Sequence, residues 1–168
     1  LSVYSVESLY YSPAIIAAVA QRQCTVIGGN PEHMIQTASA NLVTAIASEV
    51  DRLAARMTEQ AVKDKIGMQM PDWKAIQHGN NVSITVDAQA MYQAEKTQLE
   101  SWIATKDVEK IVGRYPIRET TALVAVVTAL QFKSRSQYEA AVRKLVSDDK
   151  LIRTALIGHF GGLVAELA

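Results

Sequence analysis

Apolar residues recur at Ile35, Ala38, Leu42, Ile46, Val50, Leu53 and Met57, three or four apart with polar side chains between them. That period predicts a long amphipathic helix from Asn30-Pro31 to Ile66, on the order of 50 Å if unbroken. A kink or restart near Thr58-Glu59 fits the pattern equally well. Upstream, Ser12-Pro13 supplies a hydroxyl cap and a proline for the first helical turn. Ile15, Ile16, Val19 and Ala20 then share one face, and Gly28-Gly29 punctuates the chain. Leu1 to Val6 alternates weakly, as a strand does, and Val82 to Val86 alternates cleanly, with Val82, Ile84 and Val86 on one side.

The most apolar stretch is Glu119 to Phe132, ETTALVAVVTALQF. At ~100° per residue its polar members Thr120, Thr121, Thr128 and Gln131 fall in one quarter of the wheel. A central core helix over 119–132 is the expectation. It is too short for a bilayer, which needs about 20 apolar residues. Asp87 can cap a helix carrying Met91, Leu99, Trp102 and Ile103. Thr105 restarts a short one ending at Gly113. Ser136-Gln137-Tyr138-Glu139 matches a capping box, followed by Ala141, Val142, Leu145 and Val146. Ser147-Asp148-Asp149 caps the next helix. The predicted class is mainly α, about seven helices around the 119–132 helix, with one or two short strands.

A length of 168 residues suits a single helix-rich domain over 1–168. With 17 basic and 17 acidic side chains and no net charge, no global field draws the chain to nucleic acid or to a membrane. Cys24 stands alone, so no internal disulfide forms and a reducing, cytoplasmic setting is expected. The chain opens with Leu1 already in a strand pattern. That suggests the C-terminal part of a longer polypeptide, with residues 1–11 as the last strand of an upstream sheet.

Familiar chemistry is scarce. His33, His78 and His159 have no zinc-type spacing, and Cys24 reads as a half-buried structural thiol. Asp148-Asp149 reads as a cap. Glu7 stands where a strand gives way to a loop and reads either as a surface glutamate or as a Mg²⁺ ligand. Arg114, Arg118, Lys133 and Arg135 flank the core helix at its two ends. Arg118 sits at its start, where a cation opposes the dipole, so an anionic partner such as Glu7 or a phosphate is expected. A solvated face or an internal salt bridge is the other reading.

VYSVESLYY at the start resembles the last strand and acidic residue of TOPRIM domains in relatives of the overcoming-lysogenisation-defect (OLD) nucleases. RYPIRETTALVAVVTALQFKSRSQYEAAVRKLVSDDKLIRTALIGHF resembles the helical tail that follows them. The resemblance implies a Mg²⁺-dependent nuclease acting on DNA or RNA, joined or paired with an ABC-type ATPase in anti-phage defence. It implies Glu7 as catalytic residue and metal ligand, Arg118 as a catalytic basic residue, and Arg114, Arg118, Lys133 and Arg135 as nucleic-acid contacts. The chain departs from the pattern in lacking a D-x-D motif, so such a site would be completed upstream of Leu1. The alternative class is a non-catalytic helical interaction or dimerisation module using the Asn30 to Ile66 arm.

Overall fold

A computed structural model describes residues 9–79, 83–150 and 152–154 of the chain. The Leu1 to Val6 strand and Glu7 lie outside those residues. Leu9 to Ser12 is helical turn rather than the end of a strand, and it carries the buried Leu9 and Tyr11 into the core. Helix α1 (Pro13–Ile27) then buries Ile15, Ile16, Val19 and Ala20. Ser12 occupies the cap position without a capping hydrogen bond. Its buried Oγ has no hydrogen-bond partner among the described residues.

The long amphipathic pattern is two helices. In α2 (Pro31–Ala47) the Asn30 side chain accepts from the N–H groups of Glu32 and His33, at 2.8 and 3.3 Å. The break falls at Ser48–Glu49, ten residues before the Thr58-Glu59 position that the pattern suggested. There the Ser48 Oγ donates to the Ala45 carbonyl at 2.8 Å, and the Glu49 N–H donates to Ile46 at 2.9 Å. Helix α3 (Val50–Gln69) runs on through Thr58. A short α4 (Trp73–Gln77) follows, capped by Asp72.

The expected strand at 82–86 is not one: residues 83–87 are irregular, and Val82 lies outside the described residues. Alternation reports two-sidedness, but a strand needs a neighbour for its backbone groups, and no strand occurs among the described residues. Asp87 caps α5 (Ala88–Ala104), accepting from the Ala90 N–H at 2.9 Å. Asp107 caps α6 (Val108–Arg114).

The 119–132 helix is shorter than its composition predicts. A 3-10 turn covers Ile117–Glu119, Thr120 is extended, and α7 spans only Ala122–Ala129. The Thr120 Oγ1 accepts from the Ala122 N–H at 3.1 Å, which starts the helix late. Its far end closes when Phe132 N–H donates to Val127 and Gln131 N–H to Thr128, with Gln131 at φ 61°. Helix α8 (Arg135–Asp148) begins two residues ahead of the expected box. Ser134 caps it, and the Gln137 Oε1 accepts from the Lys133 N–H at 2.9 Å.

Among the described residues this gives eight bounded α-helices and one 3-10 turn, a mainly helical chain. The organising pair is α2 and α7, with α1 also on α2 and α5 on α3. Ala38, Leu42 and Ile46 of α2 and Val126 of α7 are fully buried. Each such Leu or Ile side chain contributes about 1.5–3 kcal/mol on leaving water. One cluster of buried side chains has members from Leu9 to Ile152. The exposed face of α7 holds Thr121, Val124 and Thr128, so Val124 joins the polar quarter. No helix among the described residues is long and apolar enough to cross a membrane.

Candidate functional site

The four basic side chains that flank α7 stand at its two ends. Arg114 and Arg118 precede the helix, and Lys133 and Arg135 follow it, separated by roughly 12 Å of helix. Arg114 is committed inside the fold. Its Nη2 and Nε both donate to the Glu95 carboxylate of α5, the Nε bond measuring 3.3 Å. The Tyr115 hydroxyl donates to the same carboxylate at 3.2 Å. Glu95 holds the Arg114 pKa above its ordinary value against the opposing effect of burial. Burial first, and the Glu95 charge second, push the Tyr115 phenol up.

Arg135 has a similar fate at the other end of α7. Its Nε donates to Glu139 at 2.6 Å, and the Tyr11 hydroxyl donates to the same oxygen at 3.2 Å. Tyr11 lies 5.1 Å from Tyr138, ring centre to ring centre, and the Tyr138 hydroxyl donates to the Tyr10 carbonyl at 2.5 Å. This knot fastens the N-terminal turn to α8. Glu139, which the sequence pattern assigns to a capping box, is the anchor of that knot instead.

Arg118 is exposed, within the 3-10 turn rather than at the first turn of α7, and it is itself engaged. The dipole argument for it rests on a helix start at Glu119 that the structure moves to Ala122. Its neighbour Glu119 faces Arg52 and Arg56 of α3, at 3.9 and 3.4 Å. Lys133 is exposed. Glu7 lies outside the described residues, so the proposed Glu7–Arg118 pair is not described. Asp149 makes a long-range pair with Arg22 of α1 at 2.6 Å, a contact between helices that a cap reading does not anticipate. The expected half-buried Cys24 is found as a free, partly buried thiol, and His33 and His78 are exposed.

A Mg²⁺ ion needs several oxygen ligands converging on one point. Among the described residues no group of three His, Cys, Asp or Glu could hold a metal. Glu7, the expected ligand, lies outside those residues.

The structure gathers a different set. Beyond Thr58 no residue of α3 is buried, and from Lys63 to Met70 every one is exposed. Along this end and the following α4 stand Ile66, Met68, Met70, Trp73 and Ile76, exposed by 39%, 86%, 64%, 69% and 61%. Single exposed apolar residues are ordinary, but five large ones within eleven positions are not. Asp72 positions the segment by accepting from the Ala75 N–H at 2.8 Å, which sets Trp73 and Ile76 three apart in one helical turn. The Lys74 ammonium lies 5.5 Å from the centre of the Trp73 ring and leaves most of the indole in water. In the sequence these residues fit no stripe. Their signal was the lack of one: large apolar side chains interleaved with Lys63, Asp64, Lys65, Asp72 and Lys74.

Neither a family model, nor a curated protein, nor a solved structure matches this chain. What the fold and its surface define is a helical body bearing an apolar projection.

Proposed function

We propose that this chain is a non-catalytic helical interaction module that docks a protein partner through the 66–76 segment. The observation that carries the reading is the exposure of Ile66, Met68, Met70, Trp73 and Ile76 beyond the last buried residue of α3. Trp and Met are enriched at the centres of protein interfaces, because large side chains supply contact area and the flexible thioether fits irregular partner surfaces. The charged neighbours Lys65, Asp72 and Lys74 would form the polar rim of such a patch.

A photo-crosslinking residue in place of Trp73, introduced in the cells that make the protein, tests the proposal. A control at the exposed Asn41 of α2 reports random encounter. A defined cross-linked product from position 73, lost when Met70→Asp and Ile76→Asp are added, is expected. Equal labelling at 73 and 41 would refute it.

The tail of a TOPRIM-type, Mg²⁺-dependent nuclease paired with an ABC-type ATPase is the other proposal, resting on the resemblance alone. Its test is cleavage of plasmid DNA with Mg²⁺ by the intact parent polypeptide. Cutting unaffected by Glu7→Gln would remove that residue from any site.

A further inference from the structure

We propose that the occupant of the 66–76 surface is a second copy of the same chain, two such segments pairing about a two-fold axis. The inference rests on the docking reading above and names the partner.

Area argues for it. Ile66 and Met70 lie on one side of the end of α3, with Trp73 and Ile76 following on α4, whereas Met68 faces the other side. The four exposed by 39% to 69% offer roughly 500 Å² per copy, the size of a small, weak interface. Two such faces bury about 1,000 Å² in all when each meets its own copy, which suits a weak, concentration-dependent dimer. Against a partner that offered only a small apolar anchor, much of it would stay in water.

Charge argues in the same direction. A two-fold interface must be self-complementary, since each residue meets the same surface that it presents. The patch is flanked by both signs: Lys63, Asp64 and Lys65 before it, Asp72 and Lys74 after it. The whole chain carries no net charge, so two copies meet without long-range repulsion. A flank of one sign would instead have pointed to a partner of opposite charge.

Access is the third consideration. The run from Lys63 to Met70 is exposed throughout, so a second segment can lie along it.

Sedimentation equilibrium of the purified chain, from about 1 µM to about 1 mM, tests the inference. The mass should climb from 18.3 kDa toward its double. Tryptophan emission should shift to the blue over the same range as Trp73 leaves water. Trp73→Asp should weaken association at least about tenfold with an unchanged far-ultraviolet spectrum. Val26→Asp, at an apolar position exposed by 82% on α1, should leave it intact. A monomer at every concentration, or a dimer indifferent to Trp73→Asp, overturns the proposal. If the monomer is found while position 73 still cross-links to a different protein in cells, the docking reading stands and the second copy falls. If neither product forms, both fall.

Discussion

Replacing Arg114 by glutamine separates two roles that the sequence leaves open for it. A phosphate-binding arginine on the surface can be removed with almost no effect on stability. An arginine that closes a largely shielded carboxylate cannot. Here the Glu95 side chain retains only 14% of its exposure, while Arg114 retains 34%. The carboxylate accepts from the guanidinium and from the Tyr115 hydroxyl, and the Tyr115 ring is itself fully buried, edge-on to Trp102 at 6.0 Å.

Hydrogen bonds to charged groups contribute about 1.5–3 kcal/mol each when shielded. The guanidinium is a third exposed, so water recovers part of its share, and the lower half of that range applies to the pair. Glu95 is the deeper partner and would be left with fewer donors. Arg114→Gln should therefore cost about 2 kcal/mol. Glu95→Gln leaves the more solvated partner behind and should cost about 1–1.5 kcal/mol. In the double variant the two losses should overlap by about 1 kcal/mol.

Urea unfolding followed by circular dichroism gives these differences as shifts in midpoint at constant slope. For a chain of this length the single Arg114→Gln change corresponds to a fall in Tm of roughly 4–8 °C. Stability of Arg114→Gln within about 0.5 kcal/mol of the parent, or strict additivity in the double variant, would refute this account of the site and free Arg114 for another partner.

Three further outcomes follow from local geometry. Gln131 (φ 61°) and Lys106 (φ 55°) sit in left-handed backbone at the ends of α7 and α5, and each →Gly change should raise stability by about 0.5–1 kcal/mol in thermal melts. Ser12→Ala should be neutral or slightly stabilising by the same measurement, because the buried Oγ has no partner to lose among the described residues; an ordinary cap would cost about 1 kcal/mol. Burial first, then neighbouring charge, raises the phenols of Tyr11, Tyr115 and Tyr138 above their ordinary value. A raised pKa favours the neutral form in the folded state, so this stability is complete below about pH 10 and is lost as pH climbs beyond it. Melting points measured from about pH 8 to about pH 11 should bend downward near the top of that range, less so in Tyr115→Phe.

Much of the helical layout is legible because local signals and packing agree. Ser12-Pro13 and Gly28 bracket α1, and all four residues assigned to its inner face are the ones it buries. Ala38, Leu42, Ile46 and Leu53 are buried in the same way along α2 and α3. The failures are boundaries made by side chains or strain instead of Gly and Pro. Ser48 ends α2 through its hydroxyl, Thr120 delays α7 through its own, and Gln131 stops it in a conformation that glycine usually marks. A reader of composition sees no breaker at any of the three. The segment 82–86 fails differently, since alternation describes one segment while a strand describes two.

The contacts that decide the candidate sites lie further still from local pattern. Arg114 finds Glu95 across a helix–helix turn 19 residues upstream, and Tyr11 finds Glu139 across 128. Arg114 reads as a potential phosphate contact because a carboxylate partner 19 residues away has no sequence signature, whereas the Arg135–Glu139 pair is an i,i+4 helix spacing that the sequence does carry. The reverse holds for Met68, Met70, Trp73 and Ile76: apolar residues are assumed to be covered, and only their exposure in the folded chain separates them from core. Burying them against another polypeptide would remove the one large apolar surface of α3 and α4 from water without disturbing the body. Substitutions there should therefore act on association while sparing Tm, whereas changes at Arg114 or Leu42 should do the opposite. That separation of effects is what distinguishes a docking segment from an incompletely packed part of the core.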